Sequence, residues 1–265
     1  MHRSQLLSGL VLSLLVVGAL SRSASAEPAT VAAAADLRFA LAEVAAHFQQ
    51  ETGQVVKLSF GSSGTFTHQI EQGAPFELFL SADEAFVFRL ADAGLTVDRG
   101  VLYAIGRLVL FAPHGSPLEV DGELRGLRAA LVDGRIRRFA IANPEHAPYG
   151  RAARAALAHA GLWASLEPHL VLGENASQAM QFAASGSSQG GVVPLSLSKA
   201  EEVARLGRFA LVPAEWHGTE PLRQRMVLLK TAGDTARAFY AYLQTPAARD
   251  LLVRYGFLLP DDASP

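Results

Sequence analysis

The chain has 265 residues with 23 Lys and Arg against 25 Asp and Glu, a formal charge of −2, so it offers no basic excess of the kind polyanion binding requires. It contains no cysteine, which excludes disulfides, thiolate metal sites and cysteine nucleophiles. Half of its residues are apolar, enough for one large core or two small ones held by packing alone.

His2 and Arg3 precede an apolar run from Leu6 to Leu20, and Ala24-Ser25-Ala26 forms a small-residue cleavage site. That order predicts a secretory signal over residues 1–26, cleaved after Ala26, and a mature protein in the periplasm. The run is shorter than the roughly 20 residues a membrane span needs, and no lipid-accepting Cys follows. Cleavage leaves 239 residues with 21 basic and 25 acidic side chains.

Thr30 to Ala35 reads as a strand, and Leu37, Leu41, Val44 and Phe48 then recur at helical spacing up to Gly53. Asp36 stands where strand passes into helix, a position suited to capping the first turn. Val56, Leu58 and Phe60 alternate as a second strand, Gly61-Ser62-Ser63-Gly64 turns the chain, and Phe66 and Ile70 open a helix ending at Gly73. A strand at Phe76 to Leu80, a helix at Glu84 to Ala93 and a long strand at Leu102 to Ala112 follow. The same grammar restarts after Pro113. Phe139 to Ala142 leads through Pro148-Tyr149-Gly150 into a helix, and Leu170 to Leu172 leads through Asn175-Ala176 into another. Short strands at Gly191 to Pro194, Ala210 to Val212 and Met226 to Leu229 precede two closing helices. The alternation predicts α/β architecture with parallel sheets.

Four strand-to-helix junctions therefore stand out, at Ala35-Asp36, Ser62-Ser63, Tyr149 and Asn175-Ala176. Helix starts present unpaired N–H groups and a positive dipole end, and in open α/β sheets ligands sit at the carboxyl ends of strands. Two junctions in each half of the chain suggest a small anion held between two lobes. The bland reading makes Asp36, Ser62, Ser63 and Asn175 helix caps only.

The segments "SFGSSGTFTHQIEQGAPFELFLSADE" (Ser59 to Glu84), "AIANPEHAPYGRAARAAL" (Ala140 to Leu157) and "AFYAYLQTPAARDLLVRYGF" (Ala238 to Phe257) resemble the periplasmic molybdate-binding proteins of ABC importers, in order over nearly all the mature chain. The resemblance implies a two-lobe, type II periplasmic binding fold, each lobe a mostly parallel sheet flanked by helices. Residues 27–108 and 225–265 would form one lobe and residues 109–224 the other. It further implies a transport component without enzymatic activity or cofactor, monomeric, delivering molybdate or tungstate to transmembrane permease subunits and not binding nucleic acid. Carried over by motif, Ser63 donates its hydroxyl and N–H, Tyr149 and Ala176 donate N–H groups, Asp36 holds the first-loop ligand position, and Ala35, Ser62 and Asn175 are possible further contributors.

Two departures from the family pattern bear on the ligand. Pro194 follows Gly191-Val192-Val193 where many members carry a hydroxyl-bearing Tyr, so the tyrosine-lacking branch is the nearer match. Asp36 stands where Ser or Asn is usual. It could be neutral and donate a proton, accept one from a protonated ion such as phosphate or arsenate, or merely cap its helix. A secreted serine hydrolase built on Ser188 or Ser196 is the alternative of a different class; the G-x-S-x-G match around Ser188 precedes a strand, the reverse of a nucleophile elbow. The eight histidines show no metal-ligand spacing, and only His68, one turn into the Ser63 helix, stands near the expected site.

Overall fold

The computed structural model describes residues 27–260, and the expected signal segment lies outside them. Two five-stranded sheets organise these residues. The first contains β1 (Ala29–Ala34), β2 (Val56–Gly61), β3 (Leu78–Ser81), β4 (Val101–Ile105) and β10 (Arg223–Leu228), in the order β2-β1-β3-β10-β4. The second contains β5 (Leu108–Pro113), β6 (Phe139–Ala142), β7 (Leu170–Gly173), β8 (Gly191–Pro194) and β9 (Gly207–Leu211), in the order β7-β6-β8-β5-β9.

Each sheet is mixed. β1 runs parallel to β2 and β3, and β6 parallel to β7 and β8, as strand-helix-strand connections require. β10 runs antiparallel to β3 and β4, and β5 antiparallel to β8 and β9. In each sheet the antiparallel strand is the one the chain enters from the other sheet. The reading of one long strand from Leu102 to Ala112 is corrected here: it is two strands, β4 and β5, in different sheets. The break falls at Gly106-Arg107, where the Gly106 N–H bonds the Leu222 carbonyl at 2.8 Å and the Arg107 carbonyl accepts from the Leu195 N–H at 2.9 Å. A Cβ on Gly106 would lie 2.3 Å from the Tyr149 hydroxyl, so the passage between lobes requires glycine.

The helix Arg38–Thr52 buries Ala40, Leu41, Val44 and Phe48 against the first sheet, one face at helical spacing. Phe48 meets Phe239 edge to face at 5.1 Å, while Phe66 and Phe79 belong to the core on the opposite side of that sheet. Phe39 and Phe182 are only partly buried and pack against the second lobe's core, which is built around β5 and β6. That core also takes in Ala34, Ala35 and Ala82 from the first lobe, so apolar packing continues across the boundary.

All six residues of β5 are buried, with Phe111 paired between Gly191 of β8 and Phe209 of β9. Truncating Phe111 to Ala leaves a cavity that the flanking strands cannot fill, and the expected cost is about 3–5 kcal/mol in equilibrium urea denaturation. A loss under ~1 kcal/mol would show that this strand does not organise the second core.

Candidate anion-binding site between the lobes

β1, β2, β6 and β7 each lead into a helical start. β1 passes into a short 3-10 turn (Ala35–Leu37), β2 into the helix Ser63–Glu71, β6 through a short loop into the helix Pro148–His159, and β7 into the helix Ala176–Ala184. The four junctions singled out from sequence meet around one cavity, walled by Ala35, Asp36, Ser62, Ser63, Tyr149 and Ala176 together with Ala34, Gly61, Ala82, Ala147 and Pro148. Asn175 does not line it; its Oδ1 caps its own helix, accepting from the Gln178 N–H at 3.0 Å.

The cavity is small, about 10 Å3, where organic-ligand pockets span roughly 300–1,000 Å3. Larger depressions exist, such as one of about 370 Å3 beside Phe39 and Met180, but that one shares no lining residue with this cavity. No Lys, Arg or His belongs to the cavity wall. Positive potential there must come from first-turn N–H groups, which intrahelical bonding leaves unpaired, and from the helix dipoles behind them. Such a space suits a compact anion.

Ser63 is fully buried, and its Oγ accepts from the Ala82 N–H at 3.0 Å. Accepting that bond polarises the hydroxyl and leaves its own proton free to be donated. Ser62 caps the same helix, its Oγ accepting from the Thr65 N–H at 3.2 Å. Tyr149 and Ala176 lie in the first turns of their helices, so their N–H groups are of the unpaired kind.

Asp36 is 1% exposed and does not cap its helix; no side-chain cap bond is made at either the 3-10 turn or the helix that continues it. The capping reading is thereby corrected. Its Oδ2 accepts from Gln224 Nε2 at 2.6 Å, and its Oδ1 is buried without a hydrogen-bond partner. Burial pushes the carboxyl up to about 6, with the Gln224 amide and the neighbouring Tyr149 hydroxyl pulling the other way. Gln224 is itself pinned: Oε1 accepts from the Tyr103 hydroxyl at 2.7 Å, and Nε2 also reaches the Tyr149 hydroxyl at 3.2 Å. Burial, and then the negative charge of Asp36, hold both tyrosines well above their usual range.

Gln224, Tyr103 and Ala82 escaped the sequence reading. A signal for the first was present: in Arg223-Gln224-Arg225-Met226 the period of two puts Gln224 on the face of Met226, both fully buried, which marks a polar side chain turned inward. Pro194 ends β8 outside the cavity wall, and its carbonyl accepts from the Ser198 hydroxyl at 3.0 Å. His68 is 63% exposed beside Glu71 and takes no part.

The lobes touch around the cavity. The Gly64 N–H bonds the His146 carbonyl at 3.1 Å, and the hydroxyls of Ser177 and Ser196 donate to the carbonyls of Ala35 and Asp36, each at 2.8 Å. Arg151 pairs with Asp83 of the first lobe and with Glu220 at 2.9 Å. The two serines of the hydrolase alternative are held by backbone carbonyls: the Ser196 hydroxyl donates to that of Asp36, and the buried Ser188 hydroxyl lies 3.0 Å from those of Phe182 and Gly190. Among the described residues no group of three or more His, Asp or Glu side chains could hold a metal cation.

Comparison with known proteins agrees with this architecture. The family of bacterial extracellular solute-binding proteins matches residues 29–258. The molybdate-binding protein ModA of Rhodobacter capsulatus is 36% identical over 93% of this chain and 94% of its own length. Its namesake from Azotobacter vinelandii is 36% identical over 95% and 97%. The solved periplasmic molybdate-binding protein of A. vinelandii superposes with a TM-score of 0.79 at 31% identity, covering 88% of this chain and 99% of that one. These relatives are named for binding molybdate, and they do not favour a hydrolase or a binder of protonated phosphate-like ions. On the match of nearly all its described residues, the chain belongs to the bacterial extracellular solute-binding proteins.

Proposed function

We propose that this protein binds molybdate, and tungstate by the same contacts, between its two lobes, as the extracytoplasmic component of an ABC importer. The observation that carries the reading is the meeting of four helix starts, two from each lobe, around a small cavity with no basic side chain in its wall. A tetrahedral dianion matches that chemistry, because its charge spreads over several oxygens that separate N–H and O–H donors can each address. In this reading Ser63 gives its hydroxyl and N–H, Tyr149 and Ala176 give N–H groups, and Ala35 and Ser62 complete the wall. Export by a signal cleaved after Ala26 would place the protein in the periplasm, and the closed lobes would present the surface that the permease subunits recognise.

Because each lobe carries only half of the donors, an ion touching both must favour the closed arrangement over an open one. Asp36 is the unexpected member. Ionised and about 4 Å from even one negative charge, it would oppose binding by on the order of 4 kcal/mol at an effective dielectric near 20.

Titration calorimetry with molybdate, tungstate, sulfate and phosphate tests the reading directly, and failure of both molybdate and tungstate to bind would sink it. Ser63→Ala removes a charge-assisted hydrogen bond worth roughly 1.5–3 kcal/mol, so its molybdate affinity should fall about ten- to a hundredfold. Unchanged affinity would take Ser63 out of the site.

Gly64→Ala tests closure separately. Its Cβ would stand 2.6 Å from the His146 carbonyl oxygen, backbone against backbone across the lobes. Molybdate affinity should drop at least about tenfold, while stability without anion changes by less than ~1 kcal/mol, since Ala suits a helix at least as well as Gly. Wild-type affinity in this variant would show that binding does not require the lobes to meet there.

A further inference from the structure

Resting on that reading, we propose that Asp36 takes up one proton from solvent as the oxyanion binds, so that its Oδ1–H donates to an oxygen of the bound ion. The carboxyl then acts as a neutral donor in a wall of neutral donors. It contacts oxygen and is not a ligand to the metal.

The geometry leaves few other roles for this side chain. Asp36 belongs to the cavity wall, is almost fully buried, and makes no capping bond. One oxygen, Oδ2, is held by Gln224 Nε2 at 2.6 Å, while the other has no partner. Gln224 cannot readily turn to offer its carbonyl instead, because its Oε1 already accepts from Tyr103 and its Nε2 also serves Tyr149. The proton therefore belongs on Oδ1, the oxygen left without a bond.

No counter-charge faces the carboxyl from the elements packed around it. β10 contributes Gln224, β4 contributes Tyr103, the helix Pro148–His159 contributes Tyr149, and the turn after β8 contributes the Ser196 hydroxyl, which is committed to the Asp36 carbonyl. Burial keeps both tyrosines protonated, so neither can take up the proton in its place. An ionised Asp36 would face the arriving ion as a second uncompensated negative charge, whereas a protonated one adds a hydrogen bond. Without the ion the carboxyl titrates at about 6, so at pH 7.5 it is mostly ionised and has a proton to gain. A bound dianion raises that value further. Sign follows from linkage: binding that takes up a proton weakens as pH rises through the range above the free value, by up to about tenfold per pH unit, and levels off below it.

The test is calorimetric titration of the mature protein with sodium molybdate at pH 7.5, in Hepes and in Tris, whose ionisation enthalpies differ widely. The dependence of observed heat on buffer ionisation enthalpy gives the protons taken up, expected to approach one per ion. Affinity should fall about tenfold per unit between pH 7 and 8.5. In Asp36→Asn, which keeps the Gln224 contact and carries a permanent donor, both the proton uptake and the pH dependence should vanish. Molybdate binding with no proton uptake in the wild type overturns the proposal while leaving the binding function intact; uptake that persists in Asp36→Asn overturns it too. If the variant does not fold, the two-buffer experiment on the wild type still decides. Absence of binding by molybdate, tungstate, sulfate and phosphate alike removes the functional reading and this proposal with it.

Discussion

In the proposed reading, everything about this site follows from one constraint: a buried negative charge must be stabilised where no cation is available. Isolated charges are costly to remove from water, and the only compensation on hand is the partial charge of helix-start N–H groups and polarised hydroxyls. A single helix start supplies too little. Four of them, at the carboxyl ends of β1, β2, β6 and β7, have to point at one place, and two belong to each lobe. The site consequently exists only as a property of the two lobes together.

Side-chain size serves the same end. Ala34, Ala35, Ala82, Ala147 and Ala176 wall the cavity alongside Gly61, and their small side chains allow backbone donors to approach within hydrogen-bond range of a compact ion. Gly64 lets the two backbones meet at the His146 carbonyl for the same reason. Larger residues at these positions would hold the N–H groups away, and an N–H···O bond weakens steeply outside its narrow geometric range. Around the rim the forces differ in kind. Arg151 joins Asp83 and Glu220, while Arg223 and Arg225 share Glu84. These groups are partly solvated, and pairs of that sort contribute about 0–1 kcal/mol each; of the four, only Arg151–Asp83 joins the two lobes.

Between site and hinge lies the buried chain Tyr103, Gln224, Asp36 and Tyr149, which takes a residue from β4, one from β10, one from the first junction and one from the second lobe. Its members are polar, buried and mutually bonded, and arrangements of this type tolerate little displacement. Gly106 packs directly against it, with space for no side chain beside Tyr149 and Gln224. The point where the chain passes between lobes is thus in contact with Tyr149 and with Gln224, the group that holds the Asp36 carboxylate.

The sequence by itself determined the local elements and their junctions. Apolar spacing marked the helix face of Leu41, Val44 and Phe48, and small hydroxyl and glycine residues between strand and helix marked the four helix starts that the fold brings together. Those signals are local, carried by residues near each other in the chain. What only the tertiary structure decided was non-local. The run from Leu102 to Ala112 gives no periodic sign of being shared between two sheets, because strand pairing partners lie far away in sequence. Asp36 reads as a helix cap from its neighbours, and only the approach of Gln224, 188 positions later, turns its carboxyl away from that role. Local pattern fixes which backbone groups are left unpaired; the packing of distant strands fixes what they, and the one buried carboxyl among them, come to face.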